Sequence, residues 1–281
     1  MFQTLISATA LRKLLASGAD VAVFDCRHDL MDVQLGRRQY AEGHIPGARF
    51  AHLDDDLSAP KTGSNGRHPL PSPEKFAQWL ASRGVHDGMQ VVVYDASGGM
   101  FAARLWWMCR WVGISSVALL DGGWPQWLLA GGERSTEAPE PAPGTVTLGS
   151  PLVHAVDVSA VEANLLEPRF HLLDARAPER FRGEVEPIDP VAGHIPGSSN
   201  RFFKDNLEPD GRFKPADQLR SELQAVLGDT PADQWVMSCG SGSTACHNVL
   251  AMEIAGLGTP PMYAGSWSEW VADRTRPVAK G

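Results

Sequence analysis

Short apolar runs alternate with amphipathic stretches along the whole chain. Residues 21–24 and 91–94 are β-branched runs without polar alternation, the pattern of buried parallel strands, and residues 235–238 form a third apolar run of this kind. Residues 76–83 repeat their apolar positions at helical spacing, and residues 101–112 place Leu105, Met108, Cys109 and Val112 in one helical register. From Ala245 the pattern is helical again, with Cys246, Val249, Leu250 and Ile254 on one face. This alternation predicts an α/β fold of mostly parallel sheets with helices on both faces. Ligand sites in such sheets lie at the carboxyl ends of the strands.

The pattern occurs twice. Gly43-His44-Ile45-Pro46-Gly47-Ala48 returns at an offset of 150 as Gly193-His194-Ile195-Pro196-Gly197-Ser198. In the same order, Val23-Phe24-Asp25-Cys26-Arg27 matches Leu172-Leu173-Asp174-Ala175-Arg176. Leu120-Asp121-Gly122-Gly123-Trp124 likewise matches Tyr263-Ala264-Gly265-Ser266-Trp267, each followed three residues later by a further tryptophan, Trp127 or Trp270. Three ordered matches mark a duplication. They predict one domain over residues 1–137, a proline-rich extended linker over 138–152, and a second domain over 153–281. His44 and His194, in the paired turns, read as structural braces.

Composition narrows the classes of function. The 281 residues are 43% hydrophobic and 21% charged, and no apolar span reaches membrane length. The first residues lack a basic stretch followed by an apolar core, the mark of a secretion signal. The four cysteines form neither a disulfide framework nor a metal-ligand pattern, so the sequence predicts a reducing, cytoplasmic setting with no metal or cofactor. A formal net charge of −8 argues against nucleic-acid or anionic-membrane partners. Cys26, Cys109 and Cys246 read as core thiols.

Cys239 differs from these. It ends an apolar run and opens Cys239-Gly240-Ser241-Gly242-Ser243-Thr244, a six-residue turn into the following helix, with Thr244 as the expected N-cap. Gly240 and Gly242 allow backbone angles that let successive N–H groups face inward as an anion nest. A thiol at such a nest and helix N-terminus is expected to have its pKa lowered from about 8.5 into roughly the 3.5–7.5 range, giving a nucleophilic thiolate. In the first repeat Asp95 takes this position, so the first domain is expected to be non-catalytic and to wall a cleft between the domains. A phosphatase shares the nest but needs an arginine where this chain has Ala245, which sets that reading aside.

The paired Gly-His-Ile-Pro-Gly segments, Tyr94-Asp95-Ala96-Ser97, Leu119-Leu120-Asp121-Gly122-Gly123, the Cys239 loop and Gly265-Ser266-Trp267-Ser268-Glu269-Trp270 together resemble the tandem-domain rhodanese-like sulfurtransferases, over essentially the whole chain. The resemblance implies two homologous rhodanese-like domains, only the second catalytic. It also implies a Cys239 persulfide, formed from a small sulfur donor and passed to a thiol such as thioredoxin or glutathione, or to cyanide. The neutral loop, with no Lys or Arg anywhere from residue 236 to 272, is similar to that of the 3-mercaptopyruvate sulfurtransferases, whereas thiosulfate sulfurtransferases carry basic residues after the cysteine. Thiosulfate transfer and a non-catalytic sulfur-binding or sensing module stand as the alternatives.

Site residues follow from the same resemblance. Arg180 matches the family's substrate-binding arginine, and a guanidinium can hold a donor carboxylate in a bidentate fork. Gly240, Gly242, Ser243 and Thr244 complete the donor-binding loop, with Ser243 in place of the usual valine. The second arginine usual nine residues beyond the first is here Asp189, leaving Arg182 as a substitute. A proton relay of Ser241, His68 and Asp54 is also implied, and a histidine suits it because its unperturbed pKa is about 6.5.

Overall fold

Three helix starts follow local capping rules. Ser7 caps the helix Ala8–Ala16 by accepting the Ala10 N–H, and Asp157, 150 residues on, caps Val158–Leu166 by accepting the Ala160 N–H. Ser72 caps Pro73–Ser82, which has proline at its first position and Glu74 in its first turn, where the helix dipole favours an anion.

The computed structural model describes residues 1–281 and contains ten strands in two sheets. In chain order they are β1 (Leu5–Ile6), β2 (Val21–Asp25), β3 (Arg49–Phe50), β4 (Gln90–Tyr94), β5 (Val117–Leu120), β6 (Ala155–Val156), β7 (His171–Asp174), β8 (Ser199–Asn200), β9 (Trp235–Ser238) and β10 (Met262–Tyr263). The sheets have the same topology, β1-β5-β4-β2-β3 and β6-β10-β9-β7-β8, and every pairing is parallel. Each sheet is flanked by helices, so β4 and β9, at the centre, are buried along their whole length. This is why those runs read as continuously apolar.

Two compact units result. The first contains residues 1–58, 71–152 and 208–213; the second contains 59–70, 153–207 and 214–281. The proline-rich stretch carries no strand or helix and lies along the first unit, where Gly144 N–H donates to Ala81 and Gly149 N–H to Val112. No helix is long and apolar enough to cross a membrane.

Both units repeat one polar frame. In the first, Arg27 pairs with Asp25 at 2.6 Å, donates to the Gly43 carbonyl and lies 4.9 Å over the Trp124 ring. In the second, Arg176 pairs with Asp174 at 2.8 Å, donates to the Gly193 carbonyl and lies 4.8 Å over Trp267. His44 stacks on Tyr40 and bonds the Tyr40 and Glu137 carbonyls; His194 stacks on Phe181 and bonds its carbonyl. Both histidines brace loops, the role their turn positions suggest.

Candidate active site

The site grows from the end of β9. The strand delivers Cys239 to the start of the helix Ser243–Ile254, which begins two residues earlier than the sequence pattern implies. Gly242, at φ +85°, is the N-cap, so Thr244 lies inside the first turn and does not cap it. A left-handed glycine reverses the chain in fewer residues than the periodicity allowed for. Gly240 sits under two arginines: a β-carbon on it would lie 3.1 Å from Arg67 Nη2 and 3.7 Å from Arg180 Nη2. The helix is buried on every side from Ser243 to Met252, so the single apolar face inferred from Cys246 to Ile254 understates its packing. Its buried polar groups are partnered, as burial demands: Asn206 donates to Asn248, which donates to the Arg201 carbonyl.

Cys239 is 2% exposed. Its sulfur accepts the backbone N–H groups of Gly242 at 3.1 Å and Ser241 at 3.4 Å, the inward-facing donors expected of a nest. Behind it, the Cys239 N–H donates to Ser266 Oγ, whose hydroxyl donates to the Tyr263 carbonyl. The Trp267 and Ser268 N–H groups donate to the carbonyls of Cys239 and Gly240. The first turn of the helix Ser266–Trp270 thus fixes the cysteine's backbone from one side.

The segment 59–70 closes the other side. Arg67 N–H donates to Ser268 Oγ at 2.9 Å, and Gly66, at φ +82°, fits closely against Gly265, Ser268 and Glu269. His68 is thereby buried, with Nδ1 2.7 Å from Ser241 Oγ. Asp54 belongs to the first unit, where its carboxylate stands 3.7 Å from His28 Nε2. His28, His52 and Asp54 bring possible metal-ligand atoms within 4.8 Å of one another. The His52 ring is already committed, donating from Nε2 to Val33 and accepting the Asp55 N–H at Nδ1, so it fits a metal poorly.

Arg180 does reach the loop, but its fork is taken. Nε and Nη2 donate to Glu186 at 3.2 and 2.7 Å, and Nη2 also reaches Asp189 at 3.3 Å. The Nη1 edge is what remains for a ligand, 3.8 Å from the same point on Gly240. Arg182 turns away and pairs with Glu184 on the surface, so it does not replace the absent second arginine. Burial pushes the Asp189 carboxyl up, an effect that Arg67 and then Arg180 oppose. Burial also raises the thiols of Cys26 and Cys109. Cys246 is fully buried and donates to the Gly242 carbonyl.

Arg67, Glu186, Ser266 and Ser268 escaped the sequence reading. Arg67 had a usable signal in its place next to His68, but a survey of basic residues within the loop's own stretch cannot see a cation arriving from residue 67.

Comparison with known proteins now decides the family. The Rhodanese-like domain family matches residues 7–130 and again 157–273. The chain belongs to the rhodanese family. A Pseudomonas aeruginosa relative bearing the name "Probable 3-mercaptopyruvate sulfurtransferase" is 49% identical over 267 residues, 94% of each chain. The thiosulfate sulfurtransferase of Cricetulus griseus is 35% identical over 280 residues, 96% of this chain and 92% of the relative. Among solved structures, the 3-mercaptopyruvate sulfurtransferase from Leishmania major matches 95% of this chain and 74% of its own at a TM-score of 0.83 and 30% identity. Rhodanese relatives of both donor types thus span nearly the whole chain, and their names make them sulfurtransferases.

Proposed function

We propose that the chain is a sulfurtransferase that takes sulfur from 3-mercaptopyruvate, holds it as a persulfide on Cys239 and passes it to a thiol such as thioredoxin or glutathione, or to cyanide. In the first step the Cys239 thiolate attacks the donor sulfur. The S–S bond forms, the donor C–S bond breaks, and its electron pair leaves on carbon as the enolate of pyruvate. Ser241, fed by His68 and with Asp54 as the further relay member, supplies the proton that completes pyruvate. In the second step the acceptor attacks the outer sulfur and Cys239 leaves as thiolate. Gly240, Gly242, Ser243 and Thr244 form the floor on which the donor sits, and Arg180 faces its carboxylate.

The observation carrying this reading is the 2.7 Å His68–Ser241 bond on the same loop whose N–H groups hold the Cys239 sulfur. A serine–histidine pair can deliver a proton to carbon, a need that mercaptopyruvate has and thiosulfate does not, since sulfite leaves as an anion. Four free cysteines fit a reducing cytoplasm.

Side-by-side turnover of the two donors tests the reading. Pyruvate release should exceed thiosulfate consumption, an extra sulfur on Cys239 should be seen by mass spectrometry, and His68→Asn should slow pyruvate formation about 100-fold. Faster use of thiosulfate would make thiosulfate the donor. Failure of both donors to load Cys239 would favour a non-catalytic sulfur-binding module.

A further inference from the structure

We propose that Arg67 is the second carboxylate-binding arginine of the donor site, delivered from the segment 59–70 and aimed by Asp189. The inference rests on the mercaptopyruvate reading, and it assigns a role to a residue that lies more than a hundred positions from the cysteine loop in sequence.

Geometry carries it. Arg67 is anchored at both ends: its backbone N–H donates to Ser268 Oγ, and its Nη1 pairs with Asp189 Oδ1 at 2.5 Å. That leaves Nη2 beside the loop, 3.1 Å from the β-carbon position on Gly240, while Nη2 and Nη1 of Arg180 stand 3.7 and 3.8 Å from the same point. Two guanidiniums therefore converge on the residue next to the nucleophile. Arg67 Nε is buried with no hydrogen-bond partner, a donor left over at the same place.

Electrostatics explains why the pair can exist before a donor arrives. Like charges this close repel, and bringing them together requires compensation. Glu186 and Asp189 provide it, buried at 3% and 4% side-chain exposure: Glu186 takes one edge of Arg180, and Asp189 bridges Arg67 to Arg180. Asp189 thus stands where the related enzymes usually place the second arginine, and here it holds an arginine that comes from elsewhere in the chain. With Arg176, which also reaches Glu186 at 3.4 Å and pairs with Asp174, three guanidiniums are matched by three carboxylates and the cluster is formally neutral. A neutral cluster with directed N–H donors suits a monoanionic carboxylate better than a dianion, which would need net positive charge beside a thiolate.

Kinetics on 3-mercaptopyruvate tests the role. Removing a charge-assisted hydrogen bond to the donor should raise KM about 10- to 100-fold in Arg67→Ala, with kcat changed much less. Arg67→Lys should recover part of that loss. The double variant Arg67→Ala with Asp189→Arg, which returns a guanidinium to the usual position, should recover more than Lys does. Arg180→Ala, measured beside them, calibrates the loss of a carboxylate contact. An unchanged KM in Arg67→Ala overturns the proposal. So does an equal fall of kcat in Ala and Lys variants that keep the native far-ultraviolet circular dichroism, because that pattern marks a structural role. If instead the unsubstituted protein releases no pyruvate from 3-mercaptopyruvate, it is the donor reading that fails.

Discussion

The two halves wrap equivalent loops around different side chains. After β4 the Asp95 carboxylate accepts four backbone N–H groups, from Ser97, Gly99, Phe101 and Ala102, at 2.7–2.9 Å. After β9 the Cys239 sulfur accepts the N–H groups of Ser241 and Gly242 at longer range. The frame behind is shared: Trp124 N–H donates to the Asp95 carbonyl as Trp267 N–H does to that of Cys239. Loop length differs, with six residues between Asp95 and the helix Ala102–Trp111 but only three between Cys239 and its helix. The first nest is filled by its own side chain and is a structural joint. The second holds a soft sulfur loosely, at the start of the helix Ser243–Ile254.

The severest way to break the comparison is to fill the second nest as the first is filled. Cys239→Asp should reduce pyruvate release to background, as Cys239→Ser should, because neither oxygen can carry a persulfide. The two should part in stability. The carboxylate can take up the loop's N–H donors, so Cys239→Asp should melt at or above Cys239→Ser in a thermal scan. Detectable sulfur transfer by either variant would remove Cys239 from the mechanism.

Emptying the first nest should have the next largest effect. Asp95→Ala leaves four N–H groups, three of them buried, to water or to rearrangement, and a loss of about 3 kcal/mol in unfolding free energy is expected even after relaxation recovers part of the cost. Asp95→Asn keeps an acceptor oxygen and should lose about half of that. Denaturant titration followed at several wavelengths checks both. A near-neutral Asp95→Ala would mean that the loop stands without its anion.

Much of this comparison was legible in the chain. Strands β2, β4 and β9 are continuous apolar runs, and the offset of 150 pairs Asp25 with Asp174 and His44 with His194 to within a residue. The glycines beside Cys239 marked it as the candidate nucleophile. What could not be read are the contacts that local pattern does not encode. Arg67 and Ser266 reach the loop from distant parts of the chain, and the fork of Arg180 is claimed by Glu186 through tertiary packing. Periodicity also misplaced the start of the helix Ser243–Ile254, because one left-handed glycine, Gly242, shortens the turn.

The smallest expected effect separates strain from hydrogen bonding at a single position. Gly123 and Ser266 are equivalent, at φ +58° and +53°, both in the left-handed region. In the first unit only glycine fits, since a β-carbon on Gly123 would meet the Asp95 carbonyl oxygen at 2.2 Å. In the second unit the chain accepts a serine there, at about 1–2 kcal/mol of backbone cost. The hydroxyl offsets this by accepting the Cys239 N–H and donating to Tyr263, bonds worth about 0.5–1.5 kcal/mol each. Ser266→Gly removes the strain and the bonds together, so its stability should stay within about 1 kcal/mol of the parent. Ser266→Ala keeps the strain and loses the bonds, so it should be the less stable of the two. Turnover should fall several-fold in both, because each frees the Cys239 amide that sets the position of the sulfur. If Ser266→Gly keeps full turnover, the serine hydroxyl does not position the nucleophile.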